Sequence, residues 1–215
     1  MSKPFSETPV YPVVFMLVIT VVFVGVLAVF YRNSMAQIEA HKVNEYNQLL
    51  VELLSDTLAD STGIDRTMLI EQRDETINTY IKPLDGYSRK AYQLIYQDKP
   101  IAYLFDIKGK GLWGSMAAMV ATDPQFNKII DFAVYAQMET PGLGSRITEA
   151  FFKEQFRGKS AITSGSVQNY SLVPEGQEEL APDQIRQVTG ATITSNSVLK
   201  MLADELNLLY SESKD

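Results

Sequence analysis

The most prominent pattern in the sequence is an apolar run near its start. Every residue of 13–31 is apolar or aromatic except Thr20 and Gly25, and no charge interrupts the run. A helix of this length rises about 28 Å, close to the hydrocarbon thickness of a bilayer. Pro12 suits the start of such a helix, and Arg32 is the first charge after it. The run predicts a single transmembrane helix over 13–31, preceded by a tail over 1–12.

Two other interpretations of the run stay open. The first alternative is a cleaved signal peptide. The apolar region of a signal peptide is usually shorter than this run, which argues against it, but residues 34–36 (Ser-Met-Ala) fit a small-x-small cleavage site. A buried core helix is the second alternative. The orientation of the span is open as well, because Lys3 on one side opposes Arg32 and Lys42 on the other. The positive-inside rule therefore does not decide which side faces the cytoplasm.

A helical pattern follows the run. Over 34–60, apolar residues recur three and four positions apart, which predicts an amphipathic helix. The stripe consists of Val43, Tyr46, Leu49, Leu50, Leu53, Leu54 and Leu58. Because the stripe is broad and the repeat short, packing on its own domain is favoured over a coiled coil. A second short helix is predicted within 65–82, so that residues 32–87 form a helical stalk.

From Lys90 onwards the pattern changes to that of β-strands. Alternating apolar residues over 92–96, a turn at 98–100 and a β-rich run over 101–107 predict a hairpin. Residues 112–121 are compatible with a strand or a helix, and 128–137 predict another strand.

The remaining pattern completes an α+β domain over 88–215. Short strands near Ala161 and Tyr170 are expected to complete a twisted antiparallel sheet, and helices are predicted over 147–156 and from Val198 to about Ser211. The predicted fold class is α+β: one N-terminal transmembrane helix, then a domain whose antiparallel sheet is flanked by helices.

The composition excludes several kinds of chemistry. The chain has 215 residues, no Cys, one His and a formal net charge of −7. Without Cys there is no disulfide, thiolate metal site, iron–sulfur cluster or thiol nucleophile, and the lone His41 leaves no His-rich metal site. We therefore predict no metal site. The acidic excess argues against nucleic-acid binding, and any redox chemistry requires an organic cofactor.

Two glycine patterns imitate nucleotide-binding motifs. Residues 109–114 fit G-x-G-x-x-G, and Asp131 lies 22 residues after Gly109. The distance to the next turn is too short for a crossover helix, so a tight Gly-rich hairpin carrying an aromatic residue is favoured. Residues 158–160 (Gly-Lys-Ser) resemble the end of a phosphate loop, but Lys153 occupies the position of its first glycine.

Small and hydroxyl-bearing residues fill the segment before the last helix. Residues 189–195 are Thr-Gly-Ala-Thr-Ile-Thr-Ser. Gly190 and Ala191 permit close backbone approach, and the first N–H groups of a helix favour an anion such as a phosphate. The alternative is a helix that is simply well capped, because Thr and Ser are common at N-caps.

Three segments resemble those of flavinylated FMN-binding domains. Residues 189–194 fit the signature [Ser/Thr/Asp]-Gly-Ala-[Ser/Thr]-x-Thr, and 139–144 (Glu-Thr-Pro-Gly-Leu-Gly) resemble a second block of the same proteins. Residues 111–113 (Gly-Leu-Trp) resemble a third block, found in the NqrC proteins of the sodium-translocating NADH:quinone reductase, Nqr. The RnfG proteins of the Rnf complex are related to them.

The resemblance implies that FMN is bound covalently. Thr194 would carry FMN through a phosphoester bond to its hydroxyl, attached by a separate flavin transferase with FAD as donor, and would take no catalytic part in turnover. The other implied cofactor-binding residues are Thr189, Gly190, Ala191, Thr192, Ile193, Thr140, Pro141, Gly142, Leu143, Leu112 and Trp113. Simple turn or core packing is the alternative for Pro141, Gly142, Leu143 and Trp113.

The resemblance also implies a function and a location. The chain would transfer electrons within an ion-pumping Nqr-type NADH:quinone or Rnf-type ferredoxin:NAD oxidoreductase, next to other integral-membrane subunits. Its domain would lie outside the cytoplasmic (inner) membrane. A membrane-anchored scaffold without a cofactor, or a stand-alone FMN domain of another extracytoplasmic respiratory chain, are the alternatives.

Overall fold

A five-stranded antiparallel sheet forms the centre of residues 46–215 in the computed structural model, which describes residues 10–214. Most of the predicted tail, 1–12, lies outside the described residues. The strands pair in chain order: β1 (Ile81–Pro83), β2 (Lys90–Tyr96), β3 (Lys99–Lys110), β4 (Ser115–Thr122) and β5 (Ile129–Ala136). The predicted hairpins and the strand over 128–137 are confirmed.

Helices account for most of the remaining regular structure. They are α1 (Tyr11–Thr62), α2 (Arg66–Glu71), α3 (Arg73–Tyr80), α4 (Ala150–Lys153) and α5 (Thr192–Glu212). The predicted helix over 147–156 is divided into a 3₁₀ turn at Gly144–Thr148, α4 and a second 3₁₀ turn at Glu154–Phe156. The described chain forms two compact units that meet at residues 45 and 46.

The first unit contains the apolar run. Within residues 10–214, α1 is the one helix that is long and apolar enough to cross a membrane. The large apolar side chains of 13–31 are exposed rather than packed in a protein core. This exposure contradicts the core-helix interpretation and agrees with a membrane anchor.

Both faces of the sheet are buried in the second unit. Residues 50–58 of α1 and Leu69 of α2 pack on one face, against Leu104 and Met119. α5 packs on the other face, against Phe105 and Val120. Packing of the predicted stripe on its own domain is confirmed, although Val43, its first member, is exposed.

Burial on both faces explains why residues 112–121 were ambiguous from the sequence. Successive side chains of a strand point to opposite faces. In β4, Ala118 and Val120 join the core beneath α5, whereas Met119 and Ala121 join the core beneath α1. A strand buried on both faces is continuously apolar and lacks the alternation that distinguishes a half-exposed strand from a helix.

The prediction that strands near Ala161 and Tyr170 complete the main sheet is wrong. They form two small separate sheets: β6 (Ile162–Thr163) pairs antiparallel with β7 (Ser166–Val167), and β8 (Ser171–Val173) pairs parallel with β9 (Gln184–Arg186). These strands have two or three residues each, and Gly165 takes a left-handed φ of 81° in the tight β6–β7 turn. Strands this short offer few ladder hydrogen bonds with which to extend the main sheet.

Candidate functional site

The 189–195 segment leads directly into α5. Gly190 has a φ of 76°, a left-handed conformation that glycine adopts at little cost. The helix starts after Ala191, which makes no side-chain cap hydrogen bond. Ser195 instead accepts a hydrogen bond at its Oγ from the backbone N–H of Val188, at 3.0 Å. The interpretation of a helix capped by its own hydroxyls is therefore wrong, and no side-chain cap occupies the N-terminus of α5.

The Thr194 hydroxyl donates a hydrogen bond to a buried carboxylate. Thr194 Oγ1 lies 2.6 Å from Glu139 Oε2, and the two residues are 1% and 6% exposed. The other carboxylate oxygen, Glu139 Oε1, accepts a hydrogen bond from the backbone N–H of Trp113 at 3.1 Å. Glu139 thus joins the three segments that carry the predicted motifs, from three separate parts of the chain.

Glu139 is the site residue that the sequence did not identify. It belongs to the 139–144 block, yet it was not among the predicted cofactor-binding residues. The only signal in the sequence is a carboxylate immediately before the Thr140-Pro141-Gly142 turn. Such a pattern is equally common in exposed turns, so its position beneath Thr194 follows only from the fold.

Glycine is required where the segments meet. A Cβ atom at Gly144 would lie 2.8 Å from Thr194 Oγ1 and 2.9 Å from Glu139 Oε2. A Cβ at Gly111 would collide with the same carboxylate and lie 3.1 Å from its Cδ. Because glycine has no side chain, Gly111 and Gly144 leave space for the carboxylate and the hydroxyl to contact each other.

The 140–144 turn lies against the start of α5. The backbone N–H of Leu143 donates to the carbonyl of Thr140 at 3.1 Å, and that of Gly142 donates to Ser145 Oγ at 3.1 Å. The Leu143 side chain lies 3.2 Å from the position that a Cβ on Gly190 would take. The turn thus closes over the segment that begins the helix.

Exposed apolar side chains border the Glu139–Thr194 contact. Seven large apolar side chains are exposed within the described part of 46–215. Four of them lie within the three motif segments and a fifth lies directly before one of these segments. These five, which we call the apolar patch, are Leu112, Trp113, Met138, Leu143 and Ile193. Trp113 is 69% exposed, so the core-packing alternative for this residue is wrong. Concentrated apolar exposure of this kind marks a surface that binds a ligand or a partner.

The remaining predicted site residues differ in their exposure. Ala191 is buried, whereas the others are exposed: Thr189, Gly190, Thr192, Thr140, Pro141 and Gly142. The fold thus brings all twelve predicted residues into three adjoining segments around Glu139. Contact of each residue with FMN stays a prediction.

A cleft of about 360 Å³ next to α5 adds positive charge near the site. Lys108 and Lys110 at the end of β3 line it, together with Ser197 and Lys200 of α5. Ser197 follows Thr194 by nearly one helical turn. Asp204 and Glu205 also line this cleft.

An ion pair fixes the beginning of the 189–195 segment. Glu175 accepts hydrogen bonds from the Arg146 guanidinium, at 2.8 and 3.3 Å, and from the backbone N–H of Thr189 at 2.7 Å. Arg146, followed by the Thr189 amide, lowers the pKa of Glu175 to about 2. Both partners favour the charged carboxylate.

Glu175→Gln is expected to remove a stabilising contribution that depends on pH. A depressed pKa in the folded state stabilises it fully above the unfolded value of about 4.3, and this stabilisation disappears as the pH falls toward about 2. The wild type should melt at a higher temperature than Glu175→Gln at pH 7 and at the same temperature by about pH 2. Thermal unfolding at each pH measures the difference. Glu178→Gln is the control, since exposed Glu178 makes no ion pair within the described residues, and an equal effect there would contradict the assignment.

Part of the chain is similar to a known domain family. Residues 111–207 match the FMN-binding domain family, and this range contains all three motif segments. The resemblance inferred from those motifs is confirmed.

Similar proteins are subunits of ion-translocating oxidoreductases. The chain is 32% identical over 102 residues to the NqrC protein of the Na⁺-translocating NADH-quinone reductase from Vibrio alginolyticus, covering 47% of this chain and 40% of that one. It is 29% identical over 136 residues to the RnfG protein of the proton-translocating ferredoxin:NAD⁺ oxidoreductase complex from Clostridium ljungdahlii, covering 61% and 68%. The chain thus spans less than half the length of the Vibrio protein and about two thirds of the clostridial one.

Solved structures share the fold. The crystal structure of the corresponding Na⁺-translocating NADH-quinone reductase protein from Parabacteroides distasonis superposes with a TM-score of 0.59 at 22% identity, covering 82% of this chain and 96% of that one. The structure of Shewanella oneidensis NqrC has a TM-score of 0.58 at 20% identity, covering 66% and 88%. The predicted α+β class with an antiparallel sheet is confirmed.

Proposed function

We propose that this chain is a membrane-anchored electron-transfer subunit of an Nqr-type or Rnf-type oxidoreductase and carries one FMN on Thr194. The observation that supports this most strongly is the Thr194 hydroxyl at the start of α5, held within an FMN-binding domain by Glu139. The similarity to NqrC and RnfG supports the redox role.

The residues around Thr194 fit a phosphate group. The first turn of α5 has no side-chain cap, so its N–H groups and the positive end of the helix dipole are available to an anion. Gly190 allows the backbone to approach closely, and Lys108, Lys110 and Lys200 supply positive charge in the adjoining cleft.

The apolar patch suits the flat ring system of a flavin. Trp113 and Leu112 stand on the β3–β4 turn, and Leu143 stands on the turn that covers Gly190. An aromatic ring and apolar side chains exclude water from a bound ring and supply stacking area. FMN, when bound, supplies single-electron chemistry. Because the tether would join the phosphate rather than the ring, these side chains would set the environment of the ring.

Attachment requires the 140–144 turn to move. Thr194 is 1% exposed and lies against Gly144 and Glu139, so its hydroxyl has no open path to a large reagent. The turn is an exposed segment held by a few short-range hydrogen bonds. We propose that a flavin transferase, with FAD as donor, acts on the chain while this turn is displaced.

The same proposal gives the apolar helix a role and implies other membrane subunits as partners. The apolar helix would hold the domain at the membrane beside other integral subunits of the complex, on the extracytoplasmic side. A tether through the phosphate also keeps the cofactor attached while the domain exchanges electrons with its neighbours.

Fluorescence of the denatured chain tests the covalent flavin. The full chain is produced in membranes with and without a flavin transferase, denatured, and separated by electrophoresis under ultraviolet light. A fluorescent band that appears only with the transferase is the expected result. A dark band in both preparations, with a colourless purified protein, contradicts the proposal and favours a scaffold without a cofactor.

A further inference from the structure

The buried carboxylate of Glu139 contacts the hydroxyl that is proposed to carry the flavin. We infer that Glu139 accepts the proton of the Thr194 hydroxyl when the flavin phosphoester forms, and so selects this hydroxyl for attachment. The inference rests on the proposed attachment of FMN to Thr194 and assigns a catalytic residue in this chain to that step.

The contact has the geometry of a nucleophile and its base. The Thr194 hydroxyl points its proton at Glu139 Oε2 across 2.6 Å, within the distance needed for direct proton transfer. An aliphatic hydroxyl is a weak nucleophile until an adjacent base takes its proton. The two groups are already in contact before the 140–144 turn is displaced.

The carboxylate is held in place from its other side. Glu139 Oε1 accepts a hydrogen bond from the backbone N–H of Trp113 at 3.1 Å. Gly111 and Gly144 have no side chains that would collide with the carboxylate. No ion pair of the described chain includes Glu139. No cation competes with the Thr194 hydroxyl for Glu139 Oε2 in these ion pairs.

The neighbouring hydroxyls lack such a base. Ser195 Oγ accepts a hydrogen bond from the Val188 N–H, and Ser197 Oγ donates to the carbonyl of Ile193 at 2.9 Å. Of the hydroxyls in this part of α5, the one bonded to a carboxylate is that of Thr194. The contact thus distinguishes the Thr194 hydroxyl from those of Ser195 and Ser197.

The attachment step balances with this assignment. Thr194 Oγ1 attacks the phosphorus next to the riboflavin in FAD and forms a new P–O bond, while the bond from this phosphorus to the bridging oxygen breaks. AMP leaves with that oxygen, and the Thr194 proton passes to Glu139. The step involves no oxidation or reduction. It leaves a neutral carboxylic acid beside the phosphodiester anion and avoids the repulsion of two like charges in contact.

Single-turnover kinetics of attachment test the inference. The detergent-solubilised full chain is mixed with excess flavin transferase and saturating FAD, and the FMN-bearing fraction is followed by intact mass. Glu139→Gln keeps an amide oxygen for the Thr194 hydroxyl but removes the base, so the rate constant is expected to fall by about 10²- to 10⁴-fold. Glu178→Gln is the matched control and should react at the wild-type rate.

The pH dependence separates a base from a structural support. The ratio of wild-type to Glu139→Gln rate constants cancels the titration of the transferase itself. This ratio should fall toward acidic pH, where a general base no longer accelerates the step, whereas a purely structural residue gives a constant ratio. A constant ratio, or wild-type kinetics in Glu139→Gln, overturns the inference.

A second variant keeps the test decisive if Glu139→Gln does not fold. Glu139→Asp retains the charge but shortens the side chain by one methylene group, so attachment should slow at least about tenfold and keep its acidic limb. Wild-type kinetics in Glu139→Asp would then contradict the inference. Thermal unfolding shows which variants are folded. If the folded wild type acquires no FMN, it is instead the proposed function that fails.

Discussion

Thr194→Ala is expected to lose all covalently bound flavin, because it removes the hydroxyl that is proposed to form the phosphoester bond. Its structural effect differs from the loss of a helix cap. The substitution removes the donor to Glu139 Oε2 and leaves a buried carboxylate oxygen without its partner. Leaving such a group unpaired costs about 1–3 kcal/mol of unfolding free energy. Mass spectrometry measures the flavin, and chemical denaturation measures the stability.

Two control variants define the specificity of this effect. Thr194→Ser keeps the hydroxyl and should still become flavinylated. Ser211→Ala removes an exposed hydroxyl near the other end of α5 and should also retain the flavin at full occupancy. A Thr194→Ala chain that still carries FMN would show that the attachment site is elsewhere.

The double substitution Val21→Arg and Val24→Arg is expected to release the chain from the membrane. Both residues lie in the apolar part of α1 and are exposed. Each arginine near the centre of a span raises the free energy of insertion by about 2.5–3.5 kcal/mol, so two oppose insertion by about 5–7 kcal/mol. Alkaline extraction of membranes, followed by immunodetection, measures the bound fraction.

The matched control for the anchor replaces the same two valines by leucine, which should leave the chain in the membrane pellet. Retention of the arginine variant in the pellet would contradict a spanning helix at 13–31. The mass of the wild-type chain from the same membranes tests the signal-peptide alternative. Removal of the residues before a cleavage site at 34–36 would show a signal peptide rather than an anchor.

The absence of cysteine makes the orientation of the domain directly measurable. Because the chain contains none, Ser213→Cys introduces a single reactive thiol at an exposed position of the second unit. A membrane-impermeant maleimide should label it in spheroplasts if the domain is extracytoplasmic. Labelling only after the cells are lysed would place the domain in the cytoplasm.

The sequence predicted those parts of the fold that have strong local periodicity. The stripe from Val43 to Leu58 and the apolar face of α5 repeat at helical spacing, and each lies in a helix. The apolar run over 13–31 was predicted from its length and lies in a helix as well. The β2–β3 hairpin followed from alternation and a turn. The small sheets were predicted wrongly because two- and three-residue strands have no periodicity, and their pairing depends on contacts distant in sequence.

The candidate site was predictable as three segments but not as an arrangement. Motif resemblance identified Thr194 and the turn over 140–144, whereas the Glu139–Thr194 contact links residues 55 positions apart. Local reasoning left helix capping open as an alternative for the hydroxyls of 189–195, because such residues are common at helix starts. Tertiary contact with Glu139 overrides that preference and gives Thr194 a different partner.

Peptide mapping of the chain isolated from its native membrane tests the proposed function most directly. Intact mass spectrometry should show an increase equal to one FMN less one water. Fragmentation should assign this increase to Thr194 in the peptide that contains 189–194. An unmodified Thr194 in such material would contradict both the covalent flavin and the role assigned to Glu139.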